Sequence, residues 1–313
     1  PFFAEECDRI GILFWSELCF WGTGGLKEEG YWTSSAYPIH EEDQEPFEKS
    51  CFRALEEMIL INRNHPSVII WSVSNEPFFT DKAVMNQTKN LVKKLVNRVH
   101  ELDPSRKAAV GGAQRDGFDV LGDVAGYNGD GASLYINPGF PSFVSEYGSM
   151  YGYRPGTFTP NFRDGVEKDY PWRSGKALWC AFHHGSILGG MGAMGMIDYY
   201  RLPLNTWYWY RQELLGMPAP EIAKEGVADH LELHGDRTEF LANGQEDVWI
   251  HVWLCNKEGK RISNELPVIL EVVEGDGIFP TGQSITFTPE ENSFLDGQAA
   301  IEFRSYFGGK NVI

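Results

Sequence analysis

The chain has 313 residues, 42% hydrophobic and 14% aromatic, enough for one large domain with a sizeable core and a smaller one besides. Its formal net charge of −17 argues against nucleic acid and anionic membrane surfaces as partners. Apolar runs stay short of the roughly 18 residues a helical membrane span needs, so no membrane span is expected.

The five cysteines, Cys7, Cys19, Cys51, Cys180 and Cys255, form no C-x-x-C pair and suggest neither a disulfide framework nor a zinc motif. They read as free thiols, mostly buried. The chain opens on Pro1-Phe2-Phe3 without a methionine and is expected to begin partway through a protein.

In chain order, Phe2 to Ile10 reads as a short helix, with Phe3, Cys7 and Ile10 at helical spacing. Ile12 to Trp15 follows as a buried strand running into Ser16-Glu17. A glycine-rich loop (Gly22, Gly24, Gly25, Gly30) leads to an amphipathic helix over Glu41 to Arg63, whose inner stripe is Phe47, Cys51, Leu55, Met58 and Ile59. The polar loop Asn64-His65-Pro66-Ser67 then breaks into the apolar run Val68-Ile69-Ile70-Trp71. That run is short enough for a strand buried on both faces, and it ends at Asn75-Glu76-Pro77.

A helix over Asp81 to Leu102 is stopped by Asp103-Pro104. Further strands are expected at Ala108 to Gly112, Val120 to Tyr127, Ser142 to Val144 and Lys176 to Trp179. Short apolar strands alternating with helices, with polar residues at the strand ends, predict an α/β fold of the parallel (β/α) barrel kind. Six strands can be counted where a closed (β/α)8 TIM barrel has eight, so the first two are expected upstream of Pro1. The aromatic run Trp207 to Tyr210 and a helical Arg211 to Leu215 close this part, giving a partial barrel domain over 1–217.

Pro218-Ala219-Pro220 reads as a linker. Beyond it, Val248 to Leu254, Val268 to Val273, Ser284 to Phe287 and Ala299 to Phe303 are rich in β-branched and aromatic residues, with glycine turns between them. The spacing predicts an immunoglobulin-like β-sandwich over 218–313, incomplete at its C-terminus.

Glu76 and Glu146 each follow an apolar run at a predicted barrel-strand end, and in a parallel barrel those ends converge on one face. Two carboxyls flanking an anomeric carbon are what glycoside hydrolysis needs: one protonates the leaving oxygen while the other attacks or activates water. Glu17 ends a strand in the same way and is expected to support the pair rather than react. His183-His184 lacks a third ligand at a metal-binding spacing and reads as packing. Gly189, Gly190, Gly192 and Gly195 lack the strand-to-helix context of a phosphate loop, and Ser72 and Ser74 lack a neighbouring histidine. No cofactor and no metal is expected.

The segment Asn64 to Ser72 followed by Asn75-Glu76 resembles the acid/base signature of glycoside hydrolase family 2, which includes β-galactosidases, β-mannosidases and β-glucuronidases. Ser145-Glu146-Tyr147-Gly148 is similar to that family's nucleophile segment. Cys7 to Leu13 and Asp103-Pro104-Ser105-Arg106 are similar to its connecting segments, so the resemblance covers roughly residues 1 to 215.

The resemblance implies Glu76 as general acid/base, Glu146 as nucleophile and Asn75 as a ligand of the sugar 2-hydroxyl. It further implies Tyr127 as a hydrogen-bond partner of the nucleophile and Trp179 as the sugar platform. Cys19 to Gly25 holds no Glu-x-His metal run of the kind some β-galactosidases carry. No Asn-x-Lys element, as used by glucuronidases, occurs between Glu146 and Tyr210. The resemblance therefore implies a neutral β-glycoside or oligosaccharide as substrate, β-galactoside first. A barrel that has lost catalysis and serves as a carbohydrate-binding or scaffold module is the reading from another class.

Overall fold

A computed structural model describes residues 2–21, 35–129, 134–135, 137–148, 174–184, 191–291 and 293–313. The expected glycine loop at Gly22 to Gly30, together with Gly189 and Gly190, lies outside the described residues. The contacts divide the chain into two compact units, one within the residues up to Trp179 and one from Cys180 to Ile313.

The first unit is a six-stranded, all-parallel sheet in sequence order, β1 to β6. Its strands are β1 (Phe14–Glu17), β2 (Val68–Asn75), β3 (Lys107–Gly111), β4 (Val124–Asn128), β5 (Ser142–Gly148) and β6 (Lys176–Trp179). Helix α1 (Phe2–Ile10) precedes β1, α2 (Glu41–Asn62) lies between β1 and β2, and α3 (Met85–Leu102) lies between β2 and β3. Leu55 and Ile59 of α2 and Leu91, Val92, Leu95 and Val99 of α3 are fully buried and cluster with Trp71 and Val73 of β2. Both helices thus press an apolar stripe onto one face of the sheet.

The sheet curls. Neighbouring strands lie about 4.8 Å apart, so in a flat sheet β1 and β5 would be some 19 Å from each other. Yet Trp15 of β1 stacks on Phe143 of β5 with ring centroids 5.4 Å apart. The result is a half-barrel, and what its concave side collects belongs to several strands at once.

Residues distant from the concave side fasten the start of β2. The carboxylate of Asp8 accepts from Ser67 N (2.9 Å) and pairs with His65 Nδ1 (2.5 Å), tying α1 to the loop that opens the strand. Arg106 donates to the carbonyls of Val68 (2.6 Å), Arg63 (2.9 Å) and His65 (3.0 Å), and also to Asp103 (2.6 Å). Asp103 in turn accepts from the buried indole of Trp71 at 2.9 Å and from Ser105.

Most predicted elements of this unit recur within a few residues. β2 is longer than its apolar run because Ser72 to Asn75 continue the strand, and Ile69 is not buried but 45% exposed. The predicted strand over Val120 to Tyr127 begins only at Val124, and Asp123 before it accepts from Ala108 N at 2.9 Å.

In the second unit, α4 (Asn205–Leu215) includes the aromatic run and starts six residues before the expected helical segment. Gly216 ends it in the left-handed conformation at φ 65°. The β part holds a three-stranded antiparallel sheet, ordered β11-β8-β7, and a two-stranded one, β10-β9. These strands are β7 (His230–Gly235), β8 (Val248–Cys255), β9 (Val268–Glu271), β10 (Ser284–Phe287) and β11 (Gln298–Phe303). Val252, Phe279, Phe287, Phe294 and Ala299 centre their common apolar core. Two small antiparallel sheets around one core are therefore what the described residues show, and β7 was not predicted. No helix among the described residues is long and apolar enough to cross a membrane.

Candidate active site

Five of the parallel strands end on a common set of carboxyls, amides and glycines. β1 contributes Glu17, whose Oε2 accepts from Ser72 Oγ (2.8 Å) and Trp15 Nε1 (3.0 Å). Burial raises its pKa, against the two hydrogen bonds and with a further push from the negative charge of Glu76. Glu17 is thus held by the side chains of Trp15 and Ser72.

β2 delivers Glu76 one residue past its end, at φ 46°. This left-handed conformation is rare for a residue with a side chain and is a form of strain that collects at functional sites. The turn is held by Glu76 N donating to Gly111 O (3.1 Å) and Asn75 N donating to Phe20 O (2.9 Å). The ladder between β2 and β3 shifts register between Ser72 and Asn75, which frees the strand end to bend. Trp21 Nε1 lies 3.5 Å from Glu76 Oε2.

The end of β3 contributes room. A Cβ on Gly112 (φ 53°) would stand 2.4 Å from Glu76 Cγ and 2.9 Å from Asn128 Nδ2. One on Gly111 would stand 2.3 Å from Glu17 Oε2. Only glycines let the acidic side chains lie this close to the sheet backbone.

β5 delivers Glu146, paired with Asn128 of β4 across a register shift. Burial first, then the charges of Glu76 and Glu17, push its pKa up to about 8, against hydrogen bonds from Asn128 and Asn75. The three carboxyls therefore share one low-dielectric environment, and a proton on any one relieves the other two.

Asn128 joins them. Its Nδ2 donates to Asn75 Oδ1 (3.1 Å) and Glu76 Oε1 (3.2 Å), its Oδ1 accepts from Ser145 Oγ (2.6 Å), and it faces Glu146 across the β4–β5 ladder, where its side chain works to lower the pKa of that carboxyl. Gln114 Oε1 accepts from its backbone N–H at 3.2 Å. Sequence reasoning passed over this residue. The signal was its place beside Tyr127 at a strand end, but the sequence does not say which of two adjacent residues faces the concave side.

That parity corrects the expectation for Tyr127. Successive side chains of a strand point to opposite faces, so with Asn128 among the carboxyls Tyr127 lies on the other side. Its hydroxyl donates to Asp119 (3.3 Å) rather than to Glu146, and its ring stacks on Tyr135 at 4.6 Å. Trp179, 36% exposed, pairs with Gly148 at the end of β6, two residues beyond Glu146. In the second unit His183 Nδ1 accepts from Gly195 N (3.0 Å), and Asp198 caps its own turn by accepting from Tyr200 N and Leu202 N.

Among protein families, residues 1–126 match the one described as "Glycosyl hydrolases family 2, TIM barrel domain". That match spans 126 of the 313 residues. A putative beta-glucuronidase of Formosa agariphila is 34% identical over 114 residues, which cover 35% of this chain and 12% of that protein. A beta-galactosidase of Thermoanaerobacter pseudethanolicus is 26% identical over 284 residues, 83% of this chain and 34% of that protein.

Among solved structures, a beta-glycosidase from Bacteroides vulgatus superposes with a TM-score of 0.67 at 16% identity, over 99% of this chain and 56% of that one. A glycosyl hydrolase family 2 member from Bacteroides cellulosilyticus gives 0.65 at 17%, over 98% and 52%. These structural likenesses concern the fold. The chain spans about a third or less of its sequence relatives and little more than half of these structures.

Proposed function

We propose that the chain carries the catalytic residues of a retaining exo-β-glycosidase acting on a neutral β-hexoside, most simply a β-galactoside. Glu146 is the nucleophile and Glu76 the general acid/base. In the first step a carboxylate oxygen of Glu146 bonds the anomeric carbon while the glycosidic C–O bond breaks and Glu76 protonates the departing oxygen. In the second, Glu76 removes a proton from water, which attacks the same carbon and releases Glu146. Asn75 serves the sugar 2-hydroxyl and Trp179 its platform. We take residues 1–217 as the catalytic domain and 218–313 as an appended immunoglobulin-like domain.

The observation that carries this reading is what surrounds Glu146: Asn128, its partner across the β4–β5 ladder, donates to Glu76, and the charges of Glu76 and Glu17 are among the causes that raise the pKa of Glu146. Two carboxyls close enough to feel each other's charge are what the double displacement uses. The raised pKa of Glu146 fits a site that holds one proton for its acid step. Burial is the first cause of that rise and the charge of Glu76 the second, so a proton on Glu76 removes part of the push and favours the ionised, nucleophilic form of Glu146.

The preference for galactoside rests on two observations. Beta-galactosidase relatives match the longer stretches, 284 and 249 residues, against 114, 164 and 108 for the glucuronidases. No Asn-x-Lys element lies between Glu146 and Tyr210. The test is Glu146→Ala in the protein that carries this chain: turnover of an aryl β-galactoside falls below a hundredth of wild type, and activity above that level overturns the assignment. A β-glucuronide or β-mannoside turned over faster than the galactoside would move the sugar but not the mechanism. A protein that binds sugar without turning it over would favour the binding-module reading.

A further inference from the structure

We propose that His230, Glu232 and Cys255 form a binding site for a zinc-type transition-metal ion that fastens the edge strand β7 to β8. The two strands pair antiparallel with His230 opposite Cys255 and Glu232 opposite Trp253. Alternation sends Leu231 and Leu233 to one face and His230, Glu232 and His234 to the other. The ordinary account of such a strand is a solvated polar face. It does not explain why that face gathers an imidazole, a carboxylate and a thiol.

One donor atom from each of His230, Glu232 and Cys255 lies within 4.8 Å of the others. His230 Nε2 and Glu232 Oε1 are 3.6 Å apart. Bonds of about 2.0–2.3 Å in a tetrahedral site put ligand atoms roughly 3.5 Å from one another. That pair already stands at ligand spacing, and side-chain torsions need bring the thiol in by only about an ångström.

A second, independent feature sits behind the imidazole. Asp229 Oδ2 lies 3.0 Å from His230 Nδ1. A carboxylate there takes the Nδ1 proton and leaves the Nε2 lone pair toward Glu232 and Cys255, the arrangement that orients metal-binding histidines. Cys255 is fully buried and His230 exposed, so an ion enters from the imidazole side and meets the thiol at the floor. Mixed nitrogen, sulfur and oxygen donors select zinc-like ions over magnesium or calcium, which take oxygen alone. Three protein ligands leave the fourth position to water. On binding, the thiol proton leaves to solvent and the sulfur bonds as thiolate.

The role that follows is structural. β7 borders the three-stranded sheet on one side, with β8 as its only strand neighbour among the described residues. An ion bonded to both strands closes that edge against fraying and against pairing with another chain.

The test uses the metal-stripped protein titrated with zinc, and with cobalt(II) as a spectroscopic stand-in. We expect one tight equivalent and a near-ultraviolet thiolate-to-cobalt absorption. Cys255→Ser should abolish that absorption, and His230→Gln, an exposed position whose replacement leaves the core untouched, should weaken zinc binding at least about tenfold. Asp229→Asn should weaken it by a similar factor through the imidazole. Zinc binding equal in wild type and His230→Gln, or bound cobalt without a thiolate absorption, would overturn the site and assign the metal to the acidic surface.

Discussion

At the scale of single residues, the candidate site depends less on the two glutamates than on what holds them. Asn128 donates to Glu76 and stands opposite Glu146, whose pKa its side chain works to lower, and Glu76 is fixed in a left-handed backbone that Gly112 leaves room for. Removing the amide should cost about a hundredfold in kcat/KM, since both carboxyls lose their common anchor. Because Asn128 donates to the ionised form of Glu146, Asn128→Ala should also move the acidic limb of the pH profile to higher pH. A profile of unchanged shape would show that Asn128 acts on folding alone.

The pKa of Glu146 makes a prediction that needs no substrate. Its folded value, about 8, lies above the ordinary 4.5, so the folded protein holds a proton that the unfolded chain releases. Stability then falls as pH rises through that window. Glu146→Gln should be more stable than wild type at pH 8, by on the order of 3 kcal/mol, with the advantage vanishing near pH 4. Parallel stability curves across that range would contradict the shared environment of the carboxyls.

At the scale of elements, β2 organises the first unit, and its two ends do different work. The N-terminal end is a joint: Asp8, His65, Asp103, Arg106 and the Trp71 indole lock the chain where it enters the strand. The C-terminal end presents Asn75 and Glu76. Much of what makes the segment from Asn64 recognisable in sequence therefore serves position rather than chemistry. Breaking the joint with Arg106→Ala should cost about 3 kcal/mol by stranding a buried carboxylate and three carbonyls, as denaturant unfolding would measure.

Burial would raise the pKa of Asp103, but hydrogen bonds from Ser105, Trp71 and Arg106 bring it down to about 2. This contribution is present in full above the ordinary 3.8 and is lost as pH falls toward 2. Asp103→Asn should flatten the acid limb of stability in that window. An unchanged acid limb would mean that the joint is not where the proton binds.

The β2 strand and its acid were legible because a continuous apolar run ending in a polar turn has few other foldings. Asn128 was not legible, because a register shift and a one-residue parity decide which neighbour turns inward, and both are set by pairing with β5. Hydrophobic pattern reports that a strand is buried, not where its pleat is interrupted.

At the scale of the whole molecule, the sequence was informative where elements are periodic. Six parallel strands in order were expected, and the half-barrel has them. In the second unit β7 went unseen because His-Leu-Glu-Leu-His offers only two apolar residues and earns its place by pairing. Cys255 likewise looked like an isolated thiol until the antiparallel register set it opposite His230. Contacts across strands are what a linear pattern leaves out, and both the site residue and the metal ligands that escaped prediction depend on them.

The central claim is that Glu146 forms the covalent bond. The direct measurement is mass spectrometry of the protein carrying this chain after reaction with a 2-deoxy-2-fluoro-β-galactoside bearing a good leaving group. The fluorine slows both steps, and the leaving group restores the first, so the glycosyl-enzyme accumulates. We expect one added sugar, located on the peptide that contains Glu146, and none in Glu146→Gln. A sugar found on Glu17 or Glu76, or normal turnover with no labelled peptide at all, would contradict the account.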